Sequence, residues 1–140
     1  MKFLHVTDTH MIPPGGRLYG LDPVERLELC VADILRNHAD AEFAVFTGDL
    51  AHRGEPGAYV ELSRILRRLP MPVHLLLGNH DDRANFLAAF PGSPRDADCV
   101  TGGIVPGSHE PPAYAVVFLD DDLSVVHFHD FLDKTATFNL

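Results

Sequence analysis

The sequence predicts an α/β fold: a βαβαβ parallel sheet with flanking helices, followed by a C-terminal β-hairpin. Three observations predict it. Short apolar segments recur at residues 2–7, 43–47 and 72–77. Between them lie stretches whose apolar residues fall at helical spacing. Beyond residue 90 this pattern gives way to a Pro- and Gly-rich stretch, then to two apolar runs around an acidic turn. Strands apolar on both faces, alternating with amphipathic helices, indicate βαβ units with right-handed crossovers.

Taken in order, K-F-L-H-V-T (2–7) reads as the first strand, and a Gly/Pro-rich loop follows to about Gly20. Asp22 is a good N-cap and Pro23 a good first helical residue. With Val24, Leu27, Val31, Ile34 and Leu35 behind them, they predict a helix over 22–37. F-A-V-F-T (43–47) is the second strand, stopped by Gly48-Asp49. Pro56 opens a second helix, with Val60, Leu62, Ile65, Leu66 and Leu69 expected inside and Arg64, Arg67 and Arg68 outside. P-V-H-L-L-L (72–77) is the third strand, closed by Gly78-Asn79-His80-Asp81, and a short helix follows at 82–90. Residues 91–111 show no periodicity. A-Y-A-V-V-F-L, D-D-D and L-S-V-V-H-F-H-D-F make the hairpin, over 112–131. The expectation is one domain over 1–140: a βαβαβα half at 1–90, an irregular connection at 91–111 and the hairpin.

The bulk properties narrow the function. At 140 residues and 46% hydrophobic, the chain has the composition of an ordinary globular domain. A net charge of −9 argues against general affinity for nucleic-acid polymers or anionic membranes. It leaves room for a small anionic substrate, because a bound metal reverses the local sign. Cys30 and Cys99 make neither a disulfide framework nor a C-x-x-C site. The N-terminus turns polar too soon for a signal segment, and no apolar run approaches the roughly 18 residues of a membrane span. A cytoplasmic location is expected.

In an open parallel sheet, ligands bind beyond the carboxyl ends of the strands. Here those ends carry Asp8-Thr9-His10, Gly48-Asp49 and Gly78-Asn79-His80-Asp81. Carboxylate, carboxamide and imidazole suit Mn²⁺, Fe²⁺, Zn²⁺ or Co²⁺ better than a soft ion. Asp8 and His10 can converge on one ion, Asp49 can bridge two, and Asn79 can bind through its carbonyl without adding charge. Glycines before Asp49 and Asn79 permit the tight, positive-φ turns that such crowding demands. Two ions about 3.5–4 Å apart clamp a phosphoryl group and lower the pKa of a water between them. His80 is placed to stabilise the phosphoryl oxygens or protonate the leaving oxygen. Asp-Thr-His is common by accident and Gly-Asp often makes a plain turn. Three such motifs in order, each closing a strand, argue against coincidence.

The text D-T-H, L-Y-G, G-D-L and G-N-H-D-D resembles the calcineurin-like metallophosphoesterase superfamily, especially the class III cyclic nucleotide phosphodiesterases and their glycerophosphodiesterase relatives. The resemblance covers residues 1–90. It implies that Asp8, His10 and Asp49 hold one ion, that Asp49 and Asn79 hold a second, and that His80 assists catalysis. It also implies a shortened metallophosphoesterase sandwich, and one or two divalent ions (Mn²⁺, Fe²⁺/Fe³⁺ or Zn²⁺). The implied substrate is a small phosphoester. The expected reaction is hydrolysis of a cyclic nucleotide or small phosphodiester by a metal-activated water.

The family pattern continues with a lone His and then G-H-x-H. This chain has no G-H-x-H, and its one H-x-H is His127-Phe128-His129, preceded by Val126. The stretch from Glu110 is similar to closing strands of relatives, so the chain reads like a family member with its middle removed between about Phe90 and Glu110. His127 and His129 alternate onto one strand face and could reach a common ion, in their own chain or a neighbour's, although a partly solvated strand face is the simpler account. His109 is a comparable candidate. His52, three residues after Asp49, is a candidate for substrate contact, as are Arg17 and Tyr19. His5 and His74 are expected to be structural, with His74 in the core or an interface, and His38 to favour the end of the first helix. A homo-oligomer would cover sheet surface left bare by the shortening. The alternative to an enzyme is a degenerate metal-binding or interaction module with little or no catalysis.

Overall fold

A computed structural model describes residues 1–93 in full, together with the backbone of three further strands at 113–119, 124–130 and 135–139. The chain runs β1 (Lys2–Thr7), α1 (Pro23–Asn37), β2 (Phe43–Thr47), α2 (Pro56–Leu66), β3 (Val73–Leu75), α3 (Arg83–Ala89), β4 (Ala113–Leu119), β5 (Ser124–Asp130) and β6 (Thr135–Asn139). The strands form one sheet in the order β3-β2-β1-β4-β5-β6. β1, β2 and β3 are parallel, as expected. The expected hairpin is β4–β5. It joins the free edge of β1 antiparallel, pairing Lys2 with Phe118 and His5 with Ala115. The pattern gave no warning of β6, whose T-A-T-F-N is too polar to read as a strand until β5 offers an edge to it.

Local chemistry explains the helices. Asp22 caps α1, its carboxylate accepting from the Val24 and Glu25 amides at 2.9 and 3.3 Å. Pro23 supplies the first turn. Asp82 caps α3 in the same way, through the Asn85 amide at 2.8 Å. Because β1 steps to β2 and β2 to β3 in the same direction, right-handed crossovers place α1 and α2 on one face of the sheet. Leu4, Val6, Ala44 and Phe46 on that face are buried together with Leu27, Val31 and Ile34 of α1 and Leu62 and Ile65 of α2. Val60 is corrected from an inner to an outer position, 59% exposed. At 100° per residue it lies one step from Tyr59, and it is Tyr59 that takes the inward place.

The opposite face is half-exposed. Phe3 and Phe43 stack there with ring centroids 4.9 Å apart, and His5 Nε2 lies 2.7 Å from Thr47 Oγ1. His5 is thus structural as expected. His74 is exposed rather than in the core, its ring edge meeting Phe43 at 5.7 Å. His38 is the C-cap of α1, its amide donating to Ile34 O. No helix among the described residues is long and apolar enough to cross a membrane.

Candidate metal centre

The loops after β1 and β2 do not diverge at the end of the sheet. Asp8 N donates to Thr47 O at 3.0 Å, His10 N to Asp49 O at 2.9 Å, Met11 N to Leu50 O at 2.9 Å and His52 N to Met11 O at 2.9 Å. This carries parallel pairing past the strands, to an isolated bridge between Met11 and Ala51. The two loops are thereby zipped together, and their polar side chains share one small volume.

Keeping them there strains the backbone. Asp8 and His10 have φ of +55° and +42°, in the left-handed region that side chains disfavour by about 1–2 kcal/mol per residue. Gly48 also has positive φ, at +72°, and a Cβ on it would lie 2.7 Å from the Asp8 carboxylate. Gly78 answers a different need. Its φ is not positive, but a Cβ there would sit on Asp49 Oδ1 and within 2.7 Å of Asp49 N, so this glycine provides room. The expectation of a positive-φ turn therefore holds at Gly48 and is corrected at Gly78.

Asp49 is the centre of the arrangement and only 5% exposed. Its Oδ1 accepts the His80 amide at 3.0 Å. Its Oδ2 faces His10 Nε2 at 3.8 Å and His80 Nε2 at 3.9 Å. Asp8 Oδ1 lies 4.0 Å from His10 Nε2 and accepts the Asp49 amide at 3.3 Å. One ligand atom each from Asp8, His10 and Asp49 lie within 4.8 Å of one another. A single divalent ion can span such a set of oxygen and nitrogen donors, and the residues present fit the metal that the sequence implies. Asn79 is exposed on the β3–α3 loop, between Gly78 and His80.

His80 has a defined tautomer. Its Nδ1 lies 2.8 Å from His52 O, and a carbonyl only accepts, so Nδ1 carries a proton and, in the neutral ring, Nε2 presents its lone pair beside Asp49. A hydrogen bond of this kind commonly orients a histidine for metal binding or proton transfer.

Sequence reasoning placed His52 near the site but missed what it does there. Its ring lies 5.4 Å from that of His10 and 5.7 Å from that of His80. Partial burial, together with His10, His80 and Arg53, holds its pKa below the usual imidazole value, against the opposing pull of Glu55.

Asp81, the first acid after Asn79-His80, was also undervalued. Its Oδ2 accepts from Leu50 N at 3.0 Å and Gly78 N at 2.8 Å. Its Oδ1 accepts from Ala51 N and the Tyr59 hydroxyl, both at 2.8 Å. Tyr59 O in turn accepts from Asp82 N at 2.9 Å. One carboxylate therefore ties the β2 loop, the β3 loop and α2 together behind the site. The acid that directly follows Asn79-His80 in G-N-H-D-D was the available signal, since a bare turn does not need it.

Arg17 donates to Gly20 O within its own loop, and Tyr19 is 87% exposed. The register pairs His127 with Val116 and His129 with Tyr114, but their side chains lie outside the described residues, as does all of His109. A cavity of about 600 Å³, lined by residues that include Leu66, Met71, Leu75, Phe86 and Phe90, is separate from this centre and holds none of its candidate ligands.

Comparison with known proteins agrees with this geometry. The family described as calcineurin-like phosphoesterase matches residues 1–134. A Rhodopseudomonas palustris protein named a probable cyclic nucleotide phosphodiesterase is 54% identical over 97 residues, covering 69% of this chain and 35% of the relative. A cAMP/cGMP dual specificity phosphodiesterase of Mycobacterium tuberculosis is 36% identical, covering 76% of this chain and 39% of the relative. The glycerophosphodiester phosphodiesterase GpdQ of Enterobacter lignolyticus is 36% identical, covering 62% and 32%. The chain thus spans between 32% and 39% of the length of these three relatives. With a family match over nearly its whole length and these donors gathered at the ends of its parallel strands, the chain belongs to the calcineurin-like phosphoesterase family.

Proposed function

We propose that this chain carries the metal centre of a phosphodiesterase that hydrolyses a cyclic nucleotide or a small phosphodiester. The observation that supports the reading best is the convergence of Asp8, His10 and Asp49 beside the lone pair of His80. Asp8, His10 and Asp49 would hold one divalent ion, and Asp49 with Asn79 a second. Mn²⁺, Fe²⁺/Fe³⁺ and Zn²⁺ all suit these donors. The ions would supply Lewis acidity toward the phosphoryl oxygens and a water of lowered pKa.

The protein's own groups do the rest. The buried Asp49 fixes the Oδ2 edge on which both histidines converge. His80, held through Nδ1, keeps Nε2 beside that edge, where in its protonated form it donates to the phosphoryl or leaving oxygen. The hydrogen bonds that zip the two loops hold Asp8 and His10 in their left-handed conformations, so both side chains stand at the site before any ligand arrives. The names of the relatives favour cyclic nucleotides and glycerophosphodiesters as substrate classes.

Buried Cys30 is a free thiol, which suits a reducing, cytoplasmic setting. A homo-oligomer would cover the half-exposed face at Phe3 and Phe43, and sedimentation tests that point. The decisive experiment is metal analysis with a phosphodiesterase assay on the wild type and Asp49→Ala. Loss of both metal and turnover in the variant is expected. Turnover unchanged in Asp49→Ala would sink the mechanism.

A further inference from the structure

His10, His52 and His80 face one another at the rim of the carboxylate group. One ring nitrogen from each lies within 4.8 Å of the other two. His10 Nδ1 and His52 Nδ1 are 3.5 Å apart, which is long for a hydrogen bond between ring nitrogens. It is close to the edge, about 3.3–3.4 Å, that two nitrogens make when each binds a tetrahedral ion at about 2.0–2.1 Å. His80 Nδ1–H is committed to His52 O, so Nε2 is its free donor. The three rings are partly exposed, and an ion can reach them from solvent. Asp49, and Glu55 beside His52, offset the charge of Arg53.

The geometry points to a further metal site, distinct from the two ion positions proposed above, made of His10, His52 and His80, that takes Zn²⁺. Its donors are all imidazole nitrogen, which suits borderline ions, whereas the Asp8–His10–Asp49 group offers mainly oxygen to harder ones. The two groups meet at His10. Its Nε2 faces the carboxylates and its Nδ1 faces His52. A neutral imidazole has one lone pair, so His10 serves one group at a time. Zn²⁺ in the imidazole group also occupies His80 Nε2, the atom to which the proposed function assigns proton donation. This consequence, inhibition by Zn²⁺, rests on that reading; the site itself does not.

The test is binding of Zn²⁺, and of Co²⁺ as its coloured substitute, to the purified chain, with His52→Ala and His52→Gln as variants. Wild type is expected to give the intense visible bands of a tetrahedral, nitrogen-rich Co²⁺ site. Both variants should lose those bands and bind Zn²⁺ about tenfold or more weakly, while circular dichroism shows the fold intact. A Co²⁺ spectrum and Zn²⁺ affinity unchanged in both variants would overturn the site. Neither readout needs turnover. A protein that binds Zn²⁺ as described yet hydrolyses no phosphodiester refutes the proposed function and supports the site.

Discussion

Replacing Asp81 with Asn changes one oxygen for an amide nitrogen behind the candidate metal centre. The carboxylate accepts four hydrogen bonds, two on each oxygen. If the amide nitrogen replaces Oδ2, the Leu50 and Gly78 N–H groups both lose their acceptor and face a donor. If it replaces Oδ1, the Ala51 N–H is orphaned, while the Tyr59 hydroxyl can rotate to accept. The second arrangement costs less and still leaves one part-buried donor unmade, at about 1–3 kcal/mol. The remaining bonds also lose their charge assistance, about 0.5–1 kcal/mol each. The sum is about 2–5 kcal/mol, or roughly 6–20 °C in melting temperature for a chain of this length. Urea unfolding of wild type and Asp81→Asn measures it directly. The neighbouring Asp82→Asn is the control: Asp82 caps α3, and Asn caps a helix about as well as Asp, so its cost is expected to be within about 0.5 kcal/mol. A cost for Asp81→Asn below about 1 kcal/mol, or equal costs for the two variants, would refute the claim that this carboxylate holds the loops together.

Three further outcomes follow from the same structure. Gly78→Ala places a methyl group on Asp49 Oδ1, so divalent-metal affinity should fall about tenfold or more; calorimetry showing wild-type affinity would remove the steric argument. Burial, reinforced by Asp33, pushes the Cys30 thiol pKa up to about 12, so in a Cys99→Ser background Cys30 should stay unreactive to a thiol reagent at pH 8 until urea unfolds the chain. Burial holds the His5 pKa below its ordinary 6.5, against the pull of Asp8, so the unfolded chain binds the proton more readily. That stability is present above about pH 6.5 and is lost as pH falls through the lower folded value. Metal-free wild type should lose stability over this window more steeply than His5→Gln, and parallel pH profiles would contradict the assignment.

The sequence by itself determined the ordered supply of donors. Asp8, His10, Asp49 and His80 were legible because each closes an apolar segment, and strand ends in a parallel sheet share one edge by topology. The starts of α1 and α2 were legible too, since Asp22 bonds amides two and three residues on, and Pro23 and Pro56 carry a φ preset for a first helical turn. Tertiary structure decided what depends on contact between distant loops. Asp81 gathers amides about thirty residues away, and the carbonyl of His52 fixes the tautomer of His80. Gly78 is needed because Asp49 occupies the space beside it, which the torsion preference of glycine does not reveal. Val60 faced outward because Tyr59 claimed the core position, and β6 formed because β5 gave it an edge. A local pattern encodes which groups a strand end presents. How two loops zip together, and so which nitrogen meets which oxygen, is set by packing between segments that the sequence lists far apart.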